Sequence, residues 1–337
     1  MNYLDRFFAA SEERRACIDE NYKDCGAFSL GRFENQNDPD FVSVKHMESA
    51  VQNIMAEADD FYTPGDDNPR YELTAGLLTF QSTIISGTIN DCVHVQIVRR
   101  GVNSTKAVII VPHWNAKQSD YLAFARILTW FGYAVFIITL PHHSKRSTSM
   151  PDYIANEFLN ANLGSAIAAI RQSVLDVRRL TGWLEANGYN RIDLIGVSLG
   201  SCVASLVTAF ETRISRCALL MSAGDFAKTV WTGRATAGIQ RACADHINLK
   251  QLQNIWTIIS PLYFVDRIAA NNTPVQLINC KRDSVVRFEQ GTRFGDALIE
   301  AGVKLKNHTL PCGHYTLGSF PFSIVMLMML LRFLRQV

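Results

Sequence analysis

Apolar positions follow two rhythms along this chain, and the change from one to the other divides it. Up to about residue 70 the spacing is helical: the start is charged, and Ala50, Val51, Ile54, Met55 and Ala58 recur at helical intervals within a helix predicted over 47–61. A polar stretch at 35–40 precedes that helix, and the Pro- and Gly-bearing segment 63–69 reads as a turn-rich linker. Residues 1–70 are therefore expected to form a helical N-terminal extension. From Leu73 the pattern turns to strands. Segments 77–85 and 92–98, separated near Gly87 and closed by Gly101, read as an antiparallel hairpin. Strand then alternates with helix: strands at 107–111, 134–140 and 192–197, and helices at 119–132 and 162–187, the latter stopped by Gly188. A strand at 217–221 is followed by residues 225–272, which hold helical patterns only and read as a small cap, with the whole insertion at about 222–272. Strands at 273–280 and 304–310 flank a helix at 288–301 ended by Gly302. Such alternation specifies an α/β fold with a mostly parallel central sheet and helices on both faces.

The strand at 192–197 meets the helix after it at Gly196-Val197-Ser198-Leu199-Gly200. This Gly-x-Ser-x-Gly spacing has a mechanical reading: the turn is so sharp that Ser198 sits at strained φ/ψ, and the two glycines leave room for it. The hydroxyl is lifted above the strand ends, and the helix N-terminus aims its amides at any anion formed there. The five-residue pattern is short, so its context carries the weight: apolar Ile192, Leu194 and Ile195 precede it, and small residues Ser201, Cys202, Ala204 and Ser205 follow.

A nucleophilic serine needs a base, and the base needs an orienting acid. Asp283 lies just past the strand at 273–280, in Asp283-Ser284-Val285-Val286, and His314 follows Gly313 in the loop after the last strand. Asp225 is a rival acid after the strand 217–221, and His308, inside a strand, is a weaker base. In order and spacing these residues resemble the α/β-hydrolase superfamily, in particular its serine esterase and lipase-like members, over roughly residues 73–337. The resemblance implies Ser198 as nucleophile, Asp283 as orienting acid and His314 as general base and acid. It also implies an oxyanion hole from the amides of Leu199 and Trp114, although His113 stands where many members have glycine. The function expected is ester hydrolysis through an acyl-enzyme, with no cofactor. Amide or thioester hydrolysis, acyl transfer, and a non-catalytic ligand-binding role on the same fold are the alternatives.

The remaining composition narrows this picture. The chain has 337 residues, 48% apolar and 19% charged, enough for a large core, and a formal charge of +2 that offers no basic face for nucleic acid. Its eight cysteines are scattered without Cys-x-x-Cys pairs, which points to a reducing compartment; with no signal-peptide pattern, a cytoplasmic location is expected. The uncharged run 317–331 contains Pro321 and falls short of the roughly 20 residues of a membrane span, so a last core helix is expected. The expected partner is a small-molecule ester; association with a second copy of the chain stays open. His113, His142 and Trp231 are candidate substrate contacts. His142, His143, Lys145 and Arg146 read as solvated loop charges, with contact to an acidic substrate as the alternative. The histidines lack metal-ligand spacing, so no metal is expected.

Overall fold

The computed structural model describes residues 3–21, 24–33, 39–65, 69–101, 104–148 and 155–336. Most of the polar stretch 35–40 and the middle of the linker 63–69 lie outside them. The N-terminal helices are α1 (Tyr3–Asn21), α2 (Val44–Ala56) and α3 (Ala58–Phe61). One helix was expected over 47–61, but Glu57, at φ −114° and ψ 33°, leaves the helical region and divides it. Ser43 starts α2 earlier than expected by accepting the His46 amide at 3.2 Å.

The sheet has strands β1 (Glu72–Thr74), β2 (Leu77–Gln81), β3 (Cys92–Val98), β4 (Lys106–Val111), β5 (Tyr133–Ile138), β6 (Arg191–Val197), β7 (Ile214–Leu220), β8 (Val275–Cys280) and β9 (Leu305–Leu310). Their order is β1-β2-β3-β5-β4-β6-β7-β8-β9. From β5 to β9 neighbours run parallel, while β1, β2 and β3 form an antiparallel meander against β5. The meander contains a hairpin absent from the expected pattern, turning at Ala75 and Gly76, both at positive φ. Next in the chain come α4 (Leu122–Trp130), α5 (Leu163–Ala186), α6 (Leu199–Phe210), α7 (Phe226–Thr232), α8 (Ala237–Ala244), α9 (Leu249–Ile255), α10 (Val265–Ala270), α11 (Phe288–Glu300) and α12 (Phe322–Leu334). Helices α7 to α10 fill the interval between β7 and β8.

Strand alternation sorts side chains between two cores. Ala107, Ile109 and Val111 of β4 join the core under α5 and α6, whereas Val108 and Ile110 face α4 and α12. Helix α6 is buried on every side, and the hydroxyls of Ser201, Ser205 and Thr208 bond back to carbonyls three or four residues earlier at 2.6–2.8 Å. Its small residues let it lie close on the sheet. β4 is followed by β5 on one flank and neighboured by β6 on the other, so the loops leaving β4 and β6 part at a topological switch point, where open α/β sheets form their crevice.

Arg146 corrects an expectation. It is neither a solvated loop charge nor a surface ligand for substrate: fully buried, it donates to Asp176 Oδ2 and to the carbonyls of Asn90 and Thr139, each at 2.9 Å. Asp176 in turn accepts the Ser82 hydroxyl at 2.6 Å. The network ties the β3–β5 side of the sheet to α5. His143 is buried beside it, with Nδ1 2.7 Å from the Pro141 carbonyl, and burial drives its pKa down to about 3. Among the described residues no helix is long and apolar enough to cross a membrane.

Candidate active site

Ser198 occupies φ 53° and ψ −116° between β6 and α6, a backbone state that only surrounding structure sustains in a non-glycine residue. The flanking glycines show what sustains it. A Cβ on Gly196 would lie 2.5 Å from the Gly200 carbonyl oxygen and 2.6 Å from Ala204 Cβ; one on Gly200 would lie 2.1 Å from the Val111 carbonyl oxygen and 2.4 Å from that of Pro112. The second pair of contacts presses the elbow against the end of β4. It thereby brings the start of α6 beside the loop that carries His113 and Trp114.

Asp283 and His314 come from the ends of adjacent parallel strands, β8 and β9. Asp283 Oδ1 accepts the amides of Val285 at 2.9 Å and Val286 at 2.7 Å, which fixes the carboxylate; Oδ2 lies 2.8 Å from His314 Nδ1. Burial alone would lower the His314 pKa, but the charge and hydrogen bond of Asp283, joined by the charges of Glu12 and Asp19, outweigh it and raise the pKa above the ordinary imidazole value. The rival Asp225 is committed elsewhere. It caps α7 through the Lys228 amide at 2.9 Å and accepts Gln253 Nε2 at 2.6 Å. His308 lies within β9, as its place in the sequence suggested.

Sequence reasoning missed the contact made by the N-terminal extension. Glu12 of α1, 2% exposed, accepts the amides of His314 at 2.7 Å and Tyr315 at 3.1 Å, and the Ser284 hydroxyl at 3.4 Å. Asp19 accepts the Tyr315 phenol at 2.6 Å. From the other side, Arg234 of the cap donates to the Glu13 carboxylate at 3.1 Å, and its amide bonds the Ser284 carbonyl at 2.8 Å. The only signal in the sequence was a carboxylate four positions before Ala16, the two residues α1 buries among those whose side chains are described.

A cavity of about 60 Å³ opens beside the serine. Ser198, Leu199 and Trp114 line it together with Phe226, Val230 and Val286. Phe226 and Val230, like Thr229 and Thr236 beside them, come from the first part of the cap, whose short helical pattern gave no hint of which residues face inward. The proposed oxyanion donors, the Leu199 and Trp114 amides, thus belong to residues at the cavity wall. The Trp114 indole is anchored on the Ala155 carbonyl at 3.1 Å. His113 is held back by Tyr121, whose oxygen lies 2.6 Å from Nδ1 and also accepts the His113 amide at 3.1 Å. Burial, with the His314 charge, lowers the His113 pKa to about 4, so its ring is neutral at ordinary pH.

His113, His142 and Trp231 are not among the residues lining the cavity. His142 Nδ1 lies 2.9 Å from the Glu157 carboxylate, and Trp231 packs against the larger core. Of the other cap aromatics, Trp256 is wholly buried with its indole donating to the Leu163 carbonyl at 3.0 Å, and Phe264 is buried as well. Both are core residues. No cluster of His, Cys, Asp and Glu suited to a metal occurs among the described residues.

The mostly parallel sheet, the strained serine between β6 and α6, and a carboxylate and histidine just past the last two strand ends define the α/β-hydrolase fold. Solved structures agree on it. Acetyl xylan esterase from Paenibacillus sp. R4 superposes with a TM-score of 0.58 at 12% identity, over 94% of this chain and 98% of its own. Acetyl xylan esterase 1 from Thermoanaerobacterium sp. JW/SL YS485 gives 0.57 at 14% identity, over 91% and 96%. Acylaminoacyl peptidase from Pyrococcus horikoshii gives 0.57 at 12% identity over 80% of this chain, which spans only 41% of the peptidase. No protein-family model and no curated protein matches the sequence.

Proposed function

We propose that this protein is a serine hydrolase that cleaves a carboxylic ester of short acyl chain through an acyl-enzyme. The observation that carries the reading is the Asp283–His314 bond of 2.8 Å, taken with the strained Ser198 on the wall of a cavity that Val285 and Val286, just after Asp283, also line. Held by Asp283 at Nδ1, the imidazole carries its proton there and leaves Nε2 as the base. Ser198 Oγ attacks the ester carbonyl while Nε2 takes its proton, and the negative oxygen is received by the Leu199 and Trp114 amides. Collapse expels the alcohol, which takes the proton from Nε2. Water then attacks the acyl-serine by the same route and releases the acid. The esterase names of the two neighbours matched over nearly their full length support ester chemistry, and the small apolar cavity supports a short acyl group.

A serine-directed fluorophosphonate probe tests the assignment. The folded protein is expected to be labelled once, on the peptide bearing Ser198, and Ser198→Ala to remain unlabelled and to lose turnover of nitrophenyl acetate by a factor of about 10⁴ or more. A folded wild type that stays unlabelled, or a folded Ser198→Ala with near-normal turnover, overturns the reading.

A further inference from the structure

We infer that Glu12 is a positioning residue for His314, a carboxylate contributed by the N-terminal helix that clasps the loop carrying the base to the loop carrying the acid. The inference rests on the functional reading above for its catalytic meaning, but its geometry stands independently. Helix α1 buries Glu12 and Ala16 while its neighbours Glu13, Arg14 and Arg15 are exposed. An apolar residue at position 12 would dock the helix at less cost, since a buried carboxylate is expensive to strip of water unless it is well partnered. Glu12 is so partnered, by three donors that all belong to the two loops: the His314 and Tyr315 amides and the Ser284 hydroxyl. Gly313 has the complementary shape, because a Cβ there would lie 2.2 Å from Glu12 Oε2. The glycine before the histidine is thus explained by the carboxylate from α1. Asp19 and Arg15 fasten the same loop through the Tyr315 hydroxyl and carbonyl, at 2.6 and 2.8 Å.

The charged and titratable groups around His314 are Asp283 from the loop after β8, Glu12 and Asp19 from α1, His113 from the loop after β4, and Tyr315 from its own loop. His113 is neutral, and burial with the nearby Asp19 charge keeps the Tyr315 phenol protonated. Glu12 is then the carboxylate, besides Asp283, whose charge is most strongly felt by the His314 ring. Its removal should make the imidazole a weaker base as well as loosen its loop.

The test uses the full chain and its Glu12→Gln variant, which keeps the side-chain shape and removes the charge. His314 is titrated by the NMR shift of its imidazole Cε1–H, a readout independent of turnover. The expected result is a fall in the His314 pKa of about half to one unit, with the acidic limb of fluorophosphonate labelling moving down in step and the plateau rate falling severalfold. An unchanged His314 titration in folded Glu12→Gln overturns the inference, since a purely structural contact would not move it. Glu12→Asp withdraws the carboxylate by one methylene and is read in the same way, with a smaller fall expected; it decides the matter if Glu12→Gln does not fold. A His314 pKa that falls as expected in Glu12→Gln, with a wild type that is never labelled, defeats the hydrolase reading and leaves the clasp standing.

Discussion

Asp283 divides its two oxygens between two tasks, and the division decides what each substitution does. Oδ1 is spent on the Val285 and Val286 amides, so the carboxylate is fixed before His314 arrives; Oδ2 alone orients the ring. Asp283→Asn keeps the shape but can present an amide N–H to Nδ1, which favours the wrong imidazole tautomer and removes the charge that stabilises the imidazolium. A loss of kcat/KM on the order of 10⁴ is expected. Asp225→Asn should be mild by comparison, because asparagine caps a helix as well as aspartate. Steady-state kinetics on one nitrophenyl ester ranks the two, and the reverse ranking would move the acid to Asp225. The pH profile follows from the same pair. In the proposed mechanism only neutral His314 can accept the serine proton, and its pKa is raised, so kcat/KM should climb with pH through a midpoint above the ordinary imidazole value of about 6.5. A profile flat between pH 6 and 8 would remove histidine from the mechanism.

Among the elements, those legible in the sequence were the ones whose pattern is local. The elbow could be read because its steric demand falls on two glycines within five residues, and β4, β5, β6 and β8 because both of their faces are buried. Asp283 and His314 were legible as an acid and a histidine following strand ends, and the structure pairs them at 2.8 Å. The three-residue β1, exposed along its length, is too short to show an alternation. The cap was recognisable as helical, but α7 spans seven residues, too few for its periodicity to say that Phe226 and Val230 face the serine while Trp231 turns away. On the proposed reading that geometry would set the acyl preference. A cavity of about 60 Å³ has room for only a few water-sized groups. In a nitrophenyl ester series acetate and butyrate should exceed decanoate by roughly tenfold or more in kcat/KM, and Val230→Ala should shift the optimum towards longer chains. An optimum on long chains in the wild type would mean that the acyl group lies elsewhere.

For the molecule as a whole, the buried Arg146–Asp176 pair sets stability apart from catalysis. Both side chains are at most 1% exposed, and neither borders the cavity. Arg146→Leu would strand the Asp176 carboxylate in the core, and a loss of about 3–5 kcal/mol is expected in urea unfolding, with the labelling of the remaining folded protein unchanged. A stability loss below about 1 kcal/mol would show the pair to be dispensable. Sequence could not distinguish this arginine from a loop charge, because its partners lie 7 to 56 positions away. The clasp of α1 lies still farther along the chain: Glu12 and the His314 amide are 302 residues apart in sequence. Synthesis proceeds from the N-terminus, and domains begin folding as they emerge. Helix α1 must therefore wait, its buried acidic face uncovered, until the loop after β9 has left the ribosome. A nascent chain lacking that loop has neither His314 nor a seat for Glu12, so α1, made before every strand of the sheet, is among the last elements to dock.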